Sequence, residues 1–221
     1  LWGNAASVLV GDFLYSRAFQ MMVAVGNPRV MDIMAQTTNS IAQGEVMQLI
    51  NSHDPDTTQA AYLETITRKT AQLFESAARL GAVLADASPA GERVLGDFGL
   101  NLGIAFQMVD DALDYSGDPE QMGKNAGDDL AEGKITLPLI HALDRATPAE
   151  QQLIRDAVKS GNRSSLIEIH RITESTGALA YTCARAQEHA ALARQSLEAL
   201  PTSHYRTALS QLADFSVSRT F

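Results

Sequence analysis

The chain has 221 residues, of which 45% are hydrophobic and 19% are charged, so it can bury a core and is not expected to be disordered. Its net charge of −9 argues against nucleic acid as a partner, because binding to a phosphate backbone needs a basic surface. Cys183 is the only cysteine, which excludes a disulfide within the chain and favours a reducing, cytoplasmic setting. No apolar run approaches the ~18 residues of a membrane helix, so we expect no membrane span.

Helices are predicted along nearly the whole sequence, because apolar residues recur at spacings of three and four. Asn27 and Ser88 are placed to cap two of these helices, and each is followed by a proline suited to a first helical turn. We find no internal repeat and no linker, and therefore predict one all-α domain over residues 1–221. In chain order, the predicted helices cover residues 5–25, 27–50, 57–86, 88–115, 136–146, 148–160, 163–176, 177–199 and 202–219.

The helix over 57–86 contains a Lys69-Thr70 pair, which can offer a phosphate one charge and one hydroxyl. The alternative is an ordinary solvent-facing lysine. In the next helix, Gln107 lies three residues before Asp110 and on the same face, where its amide can bind a ligand or orient a carboxylate. No convincing Ser-His-Asp or Cys-His set is present, so nucleophilic catalysis is not expected.

Three aspartates, Asp110, Asp111 and Asp114, interrupt the apolar pattern of that helix. Asp110 and Asp114 are four residues apart and project from one face, with Asp111 about 100° around the axis. Like charges so placed are unfavourable against a core unless they are neutralised. Mg²⁺ would neutralise them, since it typically takes one or two carboxylates together with substrate phosphates. The alternative is a solvated acidic edge of the helix.

Residues 116–133 form the one long irregular stretch, with four glycines and one proline. Loops longer than ~12–15 residues are uncommon in compact domains and often carry function. Two of the chain's four lysines, Lys124 and Lys134, lie in or just after it, each beside a glycine that lets the backbone approach a ligand. Aspartates that bind metal, followed by these lysines, form a diphosphate-binding set. The alternative is a flexible surface connection with paired charges.

The stretch GIAFQMVDDALDY…GKNAGDDLAEGKITLPLIHAL, residues 103–143, resembles the second aspartate-rich region of trans-polyprenyl diphosphate synthases. Segments 2–22 (WGNAASVLVGDFLYSRAFQMM), 41–49 (IAQGEVMQL) and 68–82 (RKTAQLFESAARLGA) are similar to the same family in the same order. The resemblance implies a helical bundle of the isoprenoid synthase type around a central apolar cavity. It is strongest to the long-chain members that make quinone side chains such as that of ubiquinone, so an octaprenyl product is expected.

The resemblance implies a Mg²⁺-dependent condensation of isopentenyl diphosphate with an allylic diphosphate such as farnesyl diphosphate. Catalysis would be electrostatic, through stabilisation of charge on the leaving diphosphate. A cytoplasmic homodimer is expected on the same ground. The implied metal ligands are Asp110, Asp111 and Asp114; the implied diphosphate-binding residues are Lys69, Thr70, Gln107, Lys124 and Lys134; and the implied catalytic residues are Lys69, Gln107, Asp110, Lys124 and Lys134.

The family also has a first aspartate-rich motif, just before the Trp-Gly-Asn-Ala region, which supplies further Mg²⁺ sites. Because this sequence begins at Leu1, after that position, we expect an upstream segment to be missing and the 221 residues alone not to turn over. Two alternatives remain, a non-catalytic partner subunit of the same fold and a terpene cyclase. Retention of Lys69 with Lys124 and Lys134 favours the enzyme over the subunit, and the Lys124–Lys134 loop argues against a cyclase.

Overall fold

The computed structural model describes residues 3–116 and 127–218, and every regular element within these ranges is a helix. This confirms the all-α fold class. A π turn at Thr67–Ala71 joins the third helix to the fourth. Helices α1 to α11 span Gly3–Val25, Pro28–Asn51, Gln59–Ile66, Gln72–Leu84, Pro89–Leu113, Asp128–Ala131, Leu137–Arg145, Pro148–Ser160, Leu166–Ser175, Ala178–Ser196 and His204–Ser218.

Helix α5 is the centre of the bundle, and its most extensive contacts are with α4 and α10. Two glycines of α5 allow α4 and the π turn to come unusually close. A Cβ atom at Gly99 would lie 2.4 Å from the carbonyl oxygen of Phe74, and one at Gly103 would lie 2.6 Å from the Cα atom of Ala71. This contact fixes the position of the π turn against α5.

The helix predicted over 57–86 is continuous in space but contains the π turn. Such turns add one residue to a helical turn and are frequent at functional positions. Gly44 of α2 packs directly on it, because a Cβ atom there would lie 2.5 Å from the backbone nitrogen of Lys69. Apolar periodicity did not reveal the π turn, since one extra residue changes the helical spacing too little.

Helix α1 packs chiefly against α2 and has no buried residue. By length and composition alone it is the one helix among residues 3–116 and 127–218 that could span a membrane, with a mean hydropathy of 1.3. Asp12 and Arg17 lie within it, and charges inside a bilayer are costly. Its large side chains form an exposed apolar face, with Leu9 68% and Phe13 66% exposed. Leu9 and Phe13 are four residues apart and so share one face, and exposed apolar side chains grouped in this way are typical of an interaction surface.

Glu92, in the first turn of α5, links α5 to α2 and α4 through ion pairs. Its carboxylate accepts hydrogen bonds from Arg29 of α2 at 2.8 Å and from Arg79 of α4 at 2.9 Å. Arg79 also lies 3.2 Å from Glu75. The hydrogen bonds from Arg79, supported by Arg29, hold the pKa of Glu92 below its ordinary value, although burial opposes them.

We expect Glu92→Gln to lower the free energy of unfolding by about 1 kcal/mol at neutral pH, since it breaks a partly exposed ion-pair network. Because the folded pKa of Glu92 is lowered, its contribution is present above the unfolded pKa and is lost as the pH falls through the folded pKa. Urea unfolding at pH 7 and pH 3 should therefore show a smaller difference between the two proteins at pH 3 than at pH 7. Glu198→Gln, at an exposed glutamate, is the control. An equal difference in stability at both pH values would contradict the electrostatic explanation.

Candidate active site

A cavity of about 270 Å³ lies where α2, α3, the π turn, α5 and the segment before α7 meet. Thirteen of its fifteen lining residues are polar or charged, which suits a charged ligand rather than a hydrocarbon. The predicted residue Lys124 lies outside the described residues, and Asp114 does not line the cavity. The predicted site residues that do line it are Lys69, Thr70, Gln107, Asp110, Asp111 and Lys134.

Asp111 is the most deeply buried of the three predicted metal ligands, with 3% of its surface exposed. Gln107 Nε2 donates a hydrogen bond to Asp111 Oδ1 at 2.7 Å, and Tyr62 Oη donates one to Asp111 Oδ2 at 2.6 Å. Burial, and after it the negative charge of Asp129, raise the pKa of Asp111 to about 7. Thr70 Oγ1 in turn donates to Gln107 Oε1 at 3.0 Å, which fixes the orientation of the amide.

Asp110 and Asp114 lie in different surroundings, although their spacing predicted a shared face. Asp110 is exposed on the cavity wall. Helix α5 ends at Leu113, and the Asp114 carboxylate binds the backbone of residues that come later in the chain. Its Oδ1 accepts hydrogen bonds from the backbone N–H groups of residues 127 and 128 at 3.1 and 3.2 Å, and its Oδ2 accepts one from residue 129 at 3.2 Å. Burial, and then the charge of Asp129, raise the pKa of Asp114 to about 6.

The two predicted lysines that the structure describes are both paired with carboxylates. Lys69 Nζ, on the π turn, lies 3.0 Å from Glu45 Oε2. Lys134 Nζ lies 2.8 Å from Glu132 Oε2 and 3.0 Å from Asp129 Oδ1. Although burial lowers it, the hydrogen bonds to Glu132 and Asp129 raise the pKa of Lys134 well above its ordinary value. The cavity therefore presents charged ammonium groups from two sides, and an anionic ligand competes with carboxylates for them.

A divalent cation fits this cavity if the ligand brings part of its coordination shell. Within residues 3–116 and 127–218, no three acidic, histidine or cysteine side chains cluster closely enough to hold a metal alone. Asp110, Asp111 and Asp129 nevertheless line the same cavity. Mg²⁺ usually completes its shell with waters and phosphate oxygens around one or two carboxylates. These residues therefore suit a cation bound together with a phosphate-bearing ligand.

Several residues of the cavity were not predicted from the sequence. Asp129 was not predicted, although Lys134, which binds its carboxylate at 3.0 Å, lies only five residues later in the sequence. Tyr62 resembles any core aromatic in the sequence, because its ring is buried and only the hydroxyl reaches Asp111. Gln48, on α2, accepts a hydrogen bond from Lys69 at 2.9 Å across 21 residues of sequence, which no local pattern reveals.

Known proteins resemble this chain over almost its full length. A family model described as polyprenyl synthetase matches residues 1–199. The chain is 49% identical over 219 residues to octaprenyl diphosphate synthase of Escherichia coli, and 47% identical over 221 residues to that of Haemophilus influenzae. These matches cover 99% and 100% of the chain and 68% and 67% of the two relatives.

A third relative is the all-trans-nonaprenyl-diphosphate synthase (geranyl-diphosphate specific) of Rhodobacter capsulatus, 44% identical over 218 residues, 99% of this chain and 67% of that protein. Among solved structures, a polyprenyl synthase from Caulobacter crescentus complexed with calcium and isoprenyl diphosphate superposes with a TM-score of 0.92 at 46% identity. That superposition covers 99% of this chain and 67% of the other. The chain thus spans about two thirds of the length of the proteins it matches.

Proposed function

Because the chain belongs to the polyprenyl synthetase family of prenyltransferases, we propose that it joins isopentenyl diphosphate to an allylic diphosphate to make a long all-trans polyprenyl diphosphate. The observation that carries the proposal is the meeting of Lys69 and Lys134 with three aspartates around one polar cavity. Octaprenyl is the proposed product, since the relatives at 49% and 47% identity are octaprenyl diphosphate synthases. A nonaprenyl product is the alternative, since the relative at 44% identity is a nonaprenyl-diphosphate synthase.

Lys69 and Lys134 bind the diphosphate of the allylic substrate in this proposal. They approach from the π turn and from the segment before α7, so the anion is held from two sides. Their charges stabilise the negative charge that accumulates on the departing diphosphate. Gln107, held by Thr70, lines the same cavity and keeps the Asp111 carboxylate in place.

Mg²⁺ is the proposed cation, and when bound it supplies charge neutralisation for the leaving diphosphate. Asp110 and Asp111 are its proposed ligands, because both line the cavity that holds the two lysines. Asp114 remains a predicted third ligand, although in this structure its carboxylate accepts backbone hydrogen bonds. Lys124 remains a predicted diphosphate ligand.

The test is an assay of the natural protein with isopentenyl diphosphate, farnesyl diphosphate and Mg²⁺, with the products sized by chromatography. We expect a metal-dependent octaprenyl product. Calorimetric titration of the 221-residue chain with inorganic diphosphate and Mg²⁺ is the companion measurement. A chain that binds no diphosphate in the presence of Mg²⁺ would contradict the proposal. A cyclic hydrocarbon product would support the terpene cyclase, and stimulation of a homologue without activity of its own would support the partner subunit.

We further propose a cytoplasmic homodimer, with a second copy of the chain on the exposed apolar face of α1. Leu9 and Phe13 are both more than half exposed on that face. Light scattering should give a dimer for the natural protein, and Phe13→Glu should shift it to a monomer because it places a charge in an apolar contact. A natural protein that is monomeric at micromolar concentration would contradict this arrangement.

Glu132→Gln is expected to tighten the binding of metal-free inorganic diphosphate by roughly two- to fivefold, which corresponds to the usual strength of an exposed ion pair. The glutamate side chain is 62% exposed and competes for Lys134 at 2.8 Å. The gain should shrink as salt is added, since exposed charges are screened. Calorimetry at low and high salt checks both results. Glu168→Gln, at an ion pair on α9, is the matched control, and equal affinity of Glu132→Gln and the natural chain would refute the competition.

A further inference from the structure

The ring of Tyr62 lies in the buried core, and its hydroxyl lies at the cavity. The residue is 4% exposed and packs in the main apolar cluster. Its Oη atom donates a hydrogen bond to Asp111 Oδ2 at 2.6 Å, between α3 and α5. Within the part of the chain that the structure describes, no lysine or arginine forms a salt bridge with Asp111. A buried carboxylate without a cation depends on neutral donors, and Tyr62 supplies one of the two.

The two donors hold the carboxylate from opposite ends. Gln107 Nε2 binds Oδ1 from within α5, and Tyr62 Oη binds Oδ2 from α3. A carboxylate has about four lone-pair sites, so each oxygen keeps one after these bonds are made. Rotation of the carboxylate would break a hydrogen bond at one oxygen or the other. The orientation of the remaining lone pairs is therefore set before any ligand arrives.

We propose that Tyr62 is a positioning residue, which holds Asp111 in the orientation that binds a divalent cation together with a diphosphate. This inference rests on the proposed function of the cavity. Partners that orient a metal ligand typically change metal affinity by about 10- to 100-fold when they are removed. If Tyr62 served only for packing, phenylalanine would replace it without effect on the cation, because the ring alone fills the core.

Tyr62→Phe tests the proposal, since it removes only the hydroxyl. Calorimetric titration with inorganic diphosphate, with and without Mg²⁺, should show about tenfold weaker binding in the presence of Mg²⁺. Binding without Mg²⁺ should not change, because the lysines are untouched. Tyr181→Phe is the matched control. It removes a hydroxyl that donates a hydrogen bond to Gln59 at 3.1 Å outside the cavity. It should leave both titrations unchanged.

A double-mutant cycle with Asp111→Asn separates positioning from a general loss of structure. If Tyr62 acts through Asp111, Tyr62→Phe will cause no further loss of Mg²⁺-dependent binding in the Asp111→Asn background. An equal loss in both backgrounds, or unchanged binding in Tyr62→Phe alone, would overturn the proposal. If Tyr62→Phe is only partly folded, the same titrations of all variants are run in concentrated sucrose, which favours the folded state.

The two proposals fail in different ways. If the natural chain binds no diphosphate in the presence of Mg²⁺, the proposed function fails and the role of Tyr62 fails with it. If the natural chain binds and Tyr62→Phe binds equally well, only the positioning role is wrong.

Discussion

Lys134→Gln is expected to weaken Mg²⁺-dependent diphosphate binding and to slow the condensation by about a hundredfold or more, the usual cost of removing a charge-stabilising donor from an active site. The structure gives this lysine two carboxylate neighbours, Glu132 at 2.8 Å and Asp129 at 3.0 Å. The substitution therefore removes an attraction and also leaves two unpaired negative charges beside the site of an anionic substrate. Calorimetry checks the effect on binding, and rate measurements on the natural protein check the effect on the condensation.

Lys159→Gln is the matched control, because this lysine lies exposed in the last turn of α8, away from the cavity. It should change neither the affinity nor the rate. Lys134→Arg keeps the charge and should recover part of the binding. If Lys134→Gln bound diphosphate as tightly as the natural chain, the anion site would have to lie elsewhere.

Gly44→Ala is expected to lower the free energy of unfolding by roughly 1–3 kcal/mol, the usual range for overpacking. A Cβ atom at this position would lie 2.5 Å from the backbone nitrogen and 2.8 Å from the Cα atom of Lys69. Backbone atoms cannot rotate aside, so α2 and the π turn must separate. Because Lys69 moves with the turn, we expect diphosphate affinity to fall by about tenfold as well.

The control for this substitution is Gly81→Ala, in α4, where an added Cβ atom meets nothing within 4 Å. It should stabilise the protein by roughly 0.5–1 kcal/mol through better helix propensity, with no effect on binding. Urea unfolding and calorimetry measure both variants. A Gly44→Ala protein of natural stability would show that α2 does not need this close approach.

Local features of the fold could be predicted from the sequence because their causes are local. Asn27 and Ser88 accept hydrogen bonds from backbone N–H groups two and three residues on, as predicted for helix caps. The apolar periodicity likewise located the helices, most of them to within a few residues. The π turn was not predicted, since its contacts come from distant parts of the sequence: Gly44 of α2 packs on Lys69, and Gly103 of α5 packs on Ala71.

The same distinction between local features and contacts of distant segments applies to the candidate site. Lys69 and Gln107 could be selected because helical spacing and residue type point to a ligand-facing surface, and the structure brings both to one cavity. Asp114 differs, because the backbone N–H groups that bind it come from residues 13 to 15 positions later in the chain. Tyr62 and Asp129 were missed for a related reason: their roles depend on contacts between separate helices that no periodicity encodes.

The carboxylates that hold Lys69 and Lys134 also bear on product release. In the proposed reaction each round of chain growth leaves inorganic diphosphate in the cavity, and this by-product must depart before the next round. Glu45 and Glu132 stand 3.0 and 2.8 Å from the two ammonium groups, ready to replace the departing anion. Lysines without such neighbours would bind diphosphate more tightly and release it more slowly. In the proposed reaction, which repeats the same step on one growing molecule, these exposed glutamates would favour release of the by-product between rounds.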